Sequence, residues 1–500
     1  MNQMFDPTRP DMLRSDLAAA PRRLLIDGAF HDAATGAVLD VIDPATGAVF
    51  AHAAAGGAED IDRAVMAARR AFDDGRWTGT TPAQRQNLLL KLADLIERDA
   101  EELALLESMD NGMPFMMARF GGAMGAAGML RYFAGWATKV TGETIEPSWP
   151  GEWLGYTRRE PVGVVAAITP WNFPLAMEVG KLSAALAAGC TLVLKPAEQT
   201  PLSAVKLGEL VCEAGFPDGV VNIVTGTGTE AGAPLVTHPG VDKVSFTGST
   251  VVGQQILRES AATMKRVTLE LGGKSPTFIL SDADLARAIP AAAQGIFGNA
   301  GQVCAAGSRL FVHESVFDRV LEGIVERAQS LRVGAGLEPG TEMGPLVSAV
   351  QRDRVQGYIE AGRRAGVSLM TGGGTIGTEG YFIEPTVLIE PGADLSVTRE
   401  EIFGPVLCAM RFGDDDIDAL AARGNDTQYG LSSAIWTRDI TAAHKLANRL
   451  KAGTVRINGS GPPDPALPLG GYKASGLGRE NGRAGLEVFT ELKTVTVSLN

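Results

Sequence analysis

One cysteine of this chain, Cys304, lies in a run of small residues that a substrate could approach. The run reads Gly298-Asn-Ala-Gly-Gln-Val-Cys304-Ala-Ala-Gly-Ser-Arg309. It separates an apolar segment with helical spacing, residues 285–297, from a strand-like segment, residues 309–313. A thiol in such a loop is a candidate nucleophile, because no regular element encloses its sulfur. Free cysteines are more often buried and inert, so the loop alone leaves both interpretations open.

Two further residues have the chemistry that a thiol nucleophile needs. Glu270 lies between Leu269 and Leu271 at the end of a predicted strand, where burial would raise its pKa and suit it to act as a general base. Asn172 follows another predicted strand and offers an amide donor for an oxyanion. A purely structural buried carboxylate is the alternative interpretation of Glu270. Together with a dinucleotide-type sheet, these three residue types fit covalent thioester chemistry with hydride transfer.

Glycines and hydroxyl residues after predicted strands suggest a nucleotide site. Gly226-x-Gly228-x-x-x-Gly232 follows one strand, a weak signal by itself. Ser249 and Thr250 begin a helix directly after another strand, where free N–H groups and the helix dipole favour phosphate. Simple N-capping is the alternative for these two residues. The loop after the first strand holds Trp171 and Asn172 in place of GxGxxG, so this is not the common dinucleotide fingerprint.

Three charged residues are suited to contact a sugar or a phosphate. Glu198 follows the second strand, where dinucleotide folds place an acid on a ribose hydroxyl, and Lys195 precedes it. Either side chain could equally be a solvated loop charge. Glu401, in the apolar turn Glu401-Ile-Phe403-Gly-Pro405, is suited to hold a ribose or a nicotinamide.

The elements that must position these residues alternate between strand and helix. Five apolar strands separated by helical segments predict a parallel, doubly wound sheet with its ligand at the carboxyl ends of the strands. These strands are expected at residues 162–168, 191–194, 220–224, 244–246 and 266–271. A second α/β unit begins near residue 274, with helices expected at 315–330, 351–365, 417–422 and 441–450 and strands at 309–313, 382–388, 406–412, 432–436 and 453–458.

The regions outside these two units are shorter. Residues 1–20 are expected to form a loosely tied arm, and turn residues across 24–51 predict small antiparallel strands. Apolar spacing predicts helices over 59–72, 82–108 and 116–140. The Gly/Ala-rich run 121–128 suits either close helix packing or a ligand channel. The chain ends in an alternating strand, 492–498, that nothing afterwards covers, so another subunit is a candidate partner for it.

Length, net charge and cysteine content limit the classes of protein to which this chain can belong. Five hundred residues suggest two or three domains, and a net charge of −13 argues against nucleic acid or an anionic membrane as the main partner. No apolar run reaches the ~20 residues that span a bilayer, and the N-terminus lacks an apolar signal core, so a cytoplasmic protein is expected. The four cysteines show no CxxC spacing, so free thiols are expected and no metal site is predicted.

Taken in order, the motifs resemble those of the NAD(P)-dependent aldehyde dehydrogenase superfamily from about residue 24 to the C-terminus. The matching stretches are ITPWNFP, TLVLKPAE, VSFTGST, VTLELGGKSP, GQVCAAGSR, EEIFGPV and PLGGYKASGLGRE. The resemblance implies an α/β fold of two doubly wound parallel-sheet domains, a Rossmann-like cofactor domain and a catalytic domain, plus a small bridging oligomerisation sheet. It places the NAD-binding domain at 1–140 and 159–272, the catalytic domain at 273–470 and the oligomerisation arm at 141–158 and 486–500.

The resemblance also implies a role for each matching residue. Cys304 would be the nucleophile, Asn172 and the Cys304 backbone N–H would hold the thiohemiacetal oxyanion, and Glu270 would activate the water that hydrolyses the thioester. Lys181 and Glu480 occupy positions that relay protons in the family. The cofactor contacts implied are Thr169, Pro170, Trp171, Lys195, Glu198, Gly228, Gly232, Phe246, Gly248, Ser249, Leu271, Glu401 and Phe403. The substrate-tunnel residues implied are Gly125, Phe173, Met177, Gly180, Gly298, Val303, Pro463 and Leu469.

Cofactor preference, substrate and assembly are expectations of the same kind. Glu198 leaves little room for a 2′-phosphate, so NAD is expected ahead of NADP. Gly180, Gly298 and the 121–128 run are small where related enzymes often carry aromatics, so a wide, uncharged tunnel for a bulky apolar aldehyde is expected. The details GQVCAAGSR and DPALPLGG resemble bacterial phenylacetaldehyde dehydrogenases. Neighbouring side chains that refill the space are the alternative. A homo-oligomer, dimer or tetramer, is expected.

Other functions fit part of the pattern. A CoA-acylating aldehyde dehydrogenase would share the thiol and hydride chemistry, but a thioester passed to CoA needs no water-activating Glu270. An enzyme for aliphatic aldehydes or semialdehydes is a further alternative, and a catalytically silent NAD-binding protein on the same fold is a remote one. A cysteine hydrolase without cofactor leaves Lys195, Glu198 and Ser249 unexplained.

Overall fold

The computed structural model describes residues 6, 8–413, 416–461 and 464–500. Its α-helices are α1 (Arg9–Ala19), α2 (Ala58–Asp73), α3 (Pro82–Arg98), α4 (Ala100–Asp110), α5 (Phe115–Met117), α6 (Gly125–Ala137), α7 (Pro174–Ala188), α8 (Leu202–Ala214), α9 (Ala233–Thr237), α10 (Thr250–Ser260), α11 (Leu285–Phe297), α12 (Phe317–Ser330), α13 (Ala349–Arg364), α14 (Ser396–Arg399), α15 (Ile417–Asn425), α16 (Ile440–Arg449) and α17 (Gly482–Glu487). In these ranges no helix is long and apolar enough to cross a membrane, and no cluster of three or more His, Cys, Asp or Glu side chains could hold a metal ion.

The strands form three larger sheets and one hairpin. They are β1 (Leu24–Ile26), β2 (Ala29–His31), β3 (Val38–Asp43), β4 (Ala48–Ala54), β5 (Thr144–Ile145), β6 (Trp153–Pro161), β7 (Val164–Ile168), β8 (Thr191–Lys195), β9 (Val221–Ile223), β10 (Lys243–Thr247), β11 (Arg266–Glu270), β12 (Pro276–Ile279), β13 (Arg309–His313), β14 (Ser368–Thr371), β15 (Thr386–Ile389), β16 (Val406–Phe412), β17 (Ser432–Trp436), β18 (Thr454–Ile457), β19 (Gly476–Leu477) and β20 (Thr490–Ser498). The hairpin pairs β3 with β4, in the region where small antiparallel strands are predicted.

The first sheet has the strand order β19-β11-β10-β7-β8-β9-β1-β2. Its central strands, from β11 to β9, run parallel, as the sequence predicts. Strand residues pack against α3, α6, α7 and α8 on one face and against α2, α9 and α10 on the other. Because both faces are buried, these strands read as continuous apolar runs. The hairpin β1–β2 and strand β19 extend the two edges, each antiparallel to its neighbour.

The second sheet has the order β14-β15-β16-β13-β12-β17-β18 and is parallel except for β14. Sequence patterns miss β12 and β14. They also start β15 too early: the predicted strand 382–388 begins only at Thr386. Pro385 precedes it and has no N–H to donate to a ladder. The mixed α/β architecture agrees with the predicted fold class.

A small sheet in the order β20-β6-β5 joins distant parts of the chain. β20 pairs antiparallel with β6, from Thr490 opposite Pro161 to Ser498 opposite Trp153. The final strand therefore has a partner within its own chain, while along the described sequence no strand covers its other edge. β6 continues to Pro161, so the predicted domain boundary at residue 158 falls inside a strand.

The described part of the N-terminal segment, residues 8–20, is docked, which corrects the expectation of a loosely tied arm there; residues 1–5 and 7 of that prediction lie outside the described residues. α1 buries Leu17 in a core shared with β3, β4 and α4. Arg14 pairs with Asp43 at 2.6 Å, and Arg9 pairs with Glu101 at 2.8 Å. Periodicity does not reveal this helix, because a single buried residue makes no apolar stripe.

The helical region before the first parallel strand is interrupted twice where continuous helices are predicted. Asp99 separates α3 from α4 inside the predicted helix 82–108. Ala118–Met124 form a π-helix between α5 and α6, inside the predicted helix 116–140. Here Gly122 lies so close to α4 that an added Cβ would be 2.2 Å from Oε2 of Glu107. The glycine-rich run therefore provides close packing at this point, and π-helical turns are frequent at functional sites.

Candidate active site

The carboxyl ends of neighbouring strands bring several predicted site residues to one edge of the first sheet. The register places Ile168 of β7 beside Lys195 of β8, and Thr247 of β10 beside Glu270 of β11. The Gly248 N–H, just after β10, donates to the Glu270 carbonyl at 3.0 Å. Parallel sheets of this kind bind their ligands in the crevice at this edge.

The loop that carries Cys304 has unusual backbone geometry. Directly after α11, Asn299 and Ala300 have left-handed φ angles of 48° and 53°. The Gln302 N–H donates to the Asn299 carbonyl at 3.0 Å, and Gln302 Oε1 accepts the Val347 N–H at 2.9 Å. Two consecutive non-glycine residues in this region are costly, and such strain concentrates at functional sites.

Asn172 is buried in the turn before α7 and is bonded to this loop. Its Nδ2 donates to the Gln302 carbonyl at 2.8 Å, and Asn299 Nδ2 donates to the Asn172 carbonyl at 2.8 Å. A carboxamide has two N–H groups, and only one is used in this bond. The amide is thus fixed beside the nucleophile loop with a second N–H left for a ligand atom.

The backbone after β11 packs against Cys304. A Cβ atom on Gly273 would lie 2.3 Å from the Cys304 carbonyl oxygen, so only glycine fits there. The Gly273 N–H donates to Glu401 Oε1 at 2.9 Å. A Cβ on Gly272 would lie 2.3 Å from Glu401 Oε2. The Glu401 carboxylate therefore lies directly on the backbone that contacts Cys304.

Burial shifts the pKa values of Cys304 and of its neighbour Glu401 upwards. Burial raises the pKa of Cys304 to about 12, and the charges of Glu401 and Glu270 add to the rise. Burial also raises the pKa of Glu401 to about 6. A thiol with such a pKa is protonated at neutral pH, so it needs a base before it can attack a carbonyl carbon.

Glu270 has the properties of that base. Burial raises the pKa of its carboxyl well above the usual range, and the Glu480 charge raises it further, against the effects of Lys181 and Arg479. Among the residues that the structure describes, Glu270 Oε1 has no hydrogen-bond partner. A buried unpaired carboxyl with a raised pKa is typical of a functional group.

Near Glu270, Lys181 and Glu480 form an ion pair. Lys181 Nζ lies 2.5 Å from Glu480 Oε1 and 3.3 Å from Ser245 Oγ. The lysine side chain is wholly buried, whereas the glutamate keeps 17% of its surface exposed. Glu480 and Leu469 exchange backbone hydrogen bonds of 2.7 and 2.8 Å, so the segment of the tunnel candidate Leu469 also holds the ion pair. The pair extends from the interior to the surface, as a proton relay requires.

The residues predicted to bind the adenosine part of the cofactor differ in how many hydrogen bonds they already make within the protein. Lys195 Nζ donates to the Pro196 carbonyl at 2.7 Å and to Glu198 Oε2 at 3.3 Å. Burial lowers the pKa of Lys195, while Glu198 keeps 37% of its side chain exposed. Ser249 is the N-cap of α10, with its Oγ accepting the Val252 N–H at 3.4 Å. The capping interpretation of Ser249 therefore holds, and its contact with a phosphate stays a prediction.

Other predicted cofactor residues leave room in the crevice. Nothing lies within 4 Å of a Cβ added to Gly228, and at Gly232 the nearest atom is 3.7 Å away. Pro170 and Trp171 are half-buried. The Trp171 ring meets the Phe403 ring edge to face, with centroids 5.2 Å apart, and Phe403 has a left-handed φ of 62°. These two rings form a small aromatic wall at the crevice.

Unpaired hydroxyl groups at the same edge fit a dinucleotide. Thr169 Oγ1 and Thr247 Oγ1 are buried without a partner in the parts of the chain described, and they lie at the ends of adjacent parallel strands. Polar atoms of a nucleotide would satisfy such groups. Phe246 and Leu271, by contrast, are core residues. The Phe246 ring lies 2.4 Å from the place that a Cβ on Gly248 would take, which explains the glycine.

Of the predicted tunnel residues that the structure describes, Gly125 is exposed and the others are half-buried. This group comprises Gly125, Phe173, Met177, Gly180, Gly298, Val303 and Leu469. No atom lies within 4 Å of a Cβ added to Gly180. At Gly298 the added Cβ would be 2.8 Å from Gln294 Nε2, so a neighbouring side chain refills that place. Pro463 lies outside the described residues.

Sequence patterns miss the residues that hold the Asn172 turn. Asn111 Nδ2 donates to the Trp171 carbonyl at 2.6 Å, and Glu107 Oε1 accepts the Leu175 N–H at 2.8 Å. The partners are 60 and 68 positions apart in the chain, so no local signal reveals them.

Comparison with known proteins identifies the family. A family model described as the aldehyde dehydrogenase family matches residues 30–495. An aldehyde dehydrogenase of Enchytraeus buchholzi is 48% identical over 496 residues, which cover 99% of each chain. The NAD+ complex of an aldehyde dehydrogenase from Bacillus cereus aligns over 100% of both chains with 48% identity and a TM-score of 0.96. A structure of indole-3-acetaldehyde dehydrogenase complexed with NAD+ covers 98% of this chain and 99% of that one, with 40% identity and a TM-score of 0.95. The chain belongs to the aldehyde dehydrogenase family.

Proposed function

We propose that this protein oxidises an aldehyde to the carboxylic acid with NAD, through a covalent intermediate on Cys304. The observation that carries the proposal is the convergence of three groups: the Cys304 loop is bonded to the buried Asn172 amide and lies within electrostatic reach of the buried Glu270 carboxyl. Three separate elements supply them, so their meeting is a property of the fold. Membership of the aldehyde dehydrogenase family supports the same reaction class.

The chain provides the groups for oxidation. The ionised fraction of Glu270 removes the Cys304 thiol proton, and the sulfur forms a bond to the aldehyde carbon. The carbonyl oxygen becomes an oxyanion, which accepts hydrogen bonds from the Asn172 amide and the Cys304 backbone N–H. Bound NAD supplies the acceptor for the hydride that leaves this carbon. The product of the step is a thioester on Cys304.

Hydrolysis of the thioester needs an activated water. Glu270 removes a proton from water as the water oxygen attacks the thioester carbon, and the carbon–sulfur bond breaks to release the acid. The Lys181–Glu480 pair lies near Glu270 and is partly open to solvent at the glutamate. It carries the proton outwards, so that the Glu270 carboxylate is restored for the next turnover.

NAD is the cofactor, and the edge of the first sheet binds it. Lys195 and Glu198 contact the adenosine ribose, where the carboxylate disfavours a 2′-phosphate. Ser249, at the N-terminus of α10, contacts a phosphate. Glu401 contacts the nicotinamide ribose, next to the Trp171 and Phe403 rings. The unpaired hydroxyls at this edge support its use as a polar binding site.

Two substitutions test the reaction sequence. Cys304→Ala should abolish NADH formation while NAD binding, measured by tryptophan fluorescence, stays at the wild-type level. Glu270→Gln should form the first NADH slowly, because the thiol has lost its base, and should then stop at about one NADH per subunit as a thioester, which mass spectrometry detects on Cys304. Cys212→Ala removes an exposed cysteine of α8 and is the matched control. Steady turnover by Cys304→Ala contradicts the proposed nucleophile.

A bulky apolar aldehyde such as phenylacetaldehyde is the proposed substrate. Gly180 leaves open space on α7, close in sequence to the partly exposed Met177 and Phe173. The tunnel candidates carry no charge, which disfavours a charged aldehyde. The related indole-3-acetaldehyde dehydrogenase is named for another arylacetaldehyde, which supports this class. Gln294 takes up part of the space near Gly298 and limits the width on that side.

Competition between aldehydes tests the substrate class. Phenylacetaldehyde should give a higher kcat/KM than hexanal or betaine aldehyde when the three are assayed with saturating NAD. A highest value for hexanal or for the charged betaine aldehyde contradicts the bulky apolar substrate. Product analysis with and without CoA tests the acylating alternative, which Glu270 disfavours: the free acid is expected in both cases.

We also propose that the protein assembles into a dimer or a tetramer. One edge of β20 has no strand partner within the described chain, and Leu492 and Val497 on this strand are exposed. Such an edge is covered in most stable proteins. Light scattering should give twice or four times the mass of one chain, and a monomer at working concentration contradicts this assembly.

A further inference from the structure

The turn that carries Asn172 is bracketed by two hydrogen bonds from α4. Asn111, directly after this helix, donates to the Trp171 carbonyl at 2.6 Å, one residue before Asn172. Glu107, one helical turn earlier, accepts the Leu175 N–H at 2.8 Å, three residues after it. Asn111 and Glu107 are 0% and 1% exposed. Both bonds go to main-chain atoms, so they fix the path of the turn itself.

The same turn is tied to the nucleophile loop on its other side. Asn172 donates to the Gln302 carbonyl, and its own carbonyl accepts from Asn299. The Glu107 carboxyl is further confined, because Gly122 of the π-helix packs against its second oxygen. A continuous path of short contacts therefore runs from α4 through the turn to the loop of Cys304.

We propose that Glu107 and Asn111 are positioning residues that set the place of the Asn172 amide relative to Cys304. The proposal rests on the oxyanion role proposed above for Asn172. Oxyanion donors act at about 2.7–3.1 Å, so a shift of the turn by roughly 1 Å removes the contact. The two bonds from α4 oppose such a shift.

Glu107 acts here through its carbonyl oxygen, and its charge is not needed. Burial raises the pKa of this carboxyl to about 8, so the neutral acid prevails at neutral pH. A glutamine has the same carbonyl acceptor and nearly the same shape, whereas a leucine has the shape alone. Glu107→Gln and Glu107→Leu are therefore a matched pair that separates the hydrogen bond from packing.

Stopped-flow measurement of NADH formation tests the proposal. Asn111→Leu and Glu107→Leu should lower the burst rate by about 10- to 100-fold, while Glu107→Gln keeps it. Alkylation of Cys304 by iodoacetamide needs no oxyanion donor and should proceed at the wild-type rate in all three. Leu105→Ala, a buried substitution on α4 that removes neither of the two hydrogen bonds, controls for lost packing and stability through its Tm.

The burst rates of these variants, compared with one another, decide whether the proposal stands. Equal losses in Glu107→Gln and Glu107→Leu overturn the proposal, as does a loss in Leu105→Ala as large as that in the leucine variants. If a leucine variant does not fold, Asn111→Asp gives the same comparison. It keeps the shape and loses the donor when ionised, so its burst rate should fall as the pH rises.

A double-mutant cycle separates positioning from the proposed function. Asn172→Ala alone should lower the burst rate by about 10²- to 10³-fold. In that background Asn111→Leu should add almost nothing, because no amide is left to position. Additive losses overturn the positioning role. An undiminished burst in Asn172→Ala itself overturns the oxyanion role instead.

Discussion

A methyl group added at Gly273 would test directly whether the backbone at this residue sets the position of Cys304. The new Cβ would lie 2.3 Å from the Cys304 carbonyl oxygen, whereas ordinary van der Waals contact begins at 3.4 Å. The two segments must therefore separate by roughly 1 Å. Leu431 Cβ already lies 3.3 Å from the same position, which limits retreat of the Gly273 backbone. The Cys304 segment takes up most of the shift, and a displacement of about 1 Å at a reacting group costs about 100-fold in rate.

We therefore expect Gly273→Ala to lower kcat/KM by about 100-fold in an NADH absorbance assay, with NAD binding retained. Gly295→Ala is the matched control, because it lies in α11, just before the loop, and its added Cβ meets nothing within 4 Å. That variant should keep its activity and gain about 0.5–1 kcal/mol of stability from better helix propensity. If Gly273→Ala is as active as Gly295→Ala, the contact between Gly273 and Cys304 does not position the thiol.

Three further outcomes follow from the pKa shifts and the tunnel. Glu401→Gln removes a charge that raises the pKa of Cys304, so iodoacetamide should alkylate Cys304 faster at mildly alkaline pH. An unchanged rate would mean that the Glu401 charge does not affect the pKa of the thiol. Folding raises the pKa of Glu107 from an ordinary 4.5 to about 8, so its contribution to stability is complete below pH 4.5 and is lost as the pH rises through 8. Calorimetry should therefore show that Glu107→Gln gains up to about 5 kcal/mol over wild type above pH 8 and little below pH 4.5, and equal shifts at both would contradict the raised pKa. Gly180→Trp fills open space and should lower kcat/KM for phenylacetaldehyde more than for hexanal, with the opposite order counting against the tunnel.

The central sheet and the main candidates for chemistry are predictable because their signals are local. Cys304 stands in a loop of small residues, Glu270 stands between two leucines at a strand end, and Asn172 follows a buried strand. Each signal needs only a few neighbouring residues. The parallel order of the strands follows in the same way from alternating apolar runs.

The contacts that orient these groups are not local, so the sequence does not reveal them. In the sequence, nothing distinguishes Gly273 from a glycine chosen for flexibility. The structure shows that glycine is needed there because the Cys304 carbonyl oxygen occupies the place where a side chain would be. Glu107 lies at the end of the predicted helix 82–108 and Asn111 lies beyond it, and neither has a local signal, yet both are buried against a turn about 60 positions away. The π-helix arises where Gly122 packs on Glu107, a tertiary contact that helical periodicity does not contain.

The first sheet and the small sheet depend on residues near the C-terminal end of the sequence, which are synthesised late. Strand β19 adds to β11, β20 pairs with β6, and Glu480 pairs with Lys181 across 299 positions of chain. A nascent chain that lacks these last residues has an unpaired edge on its first sheet and a buried lysine without its carboxylate. The first sheet therefore cannot be completed until residues 476–480 have been synthesised. Chains that are released early expose this edge, which makes them substrates for chaperones and proteases.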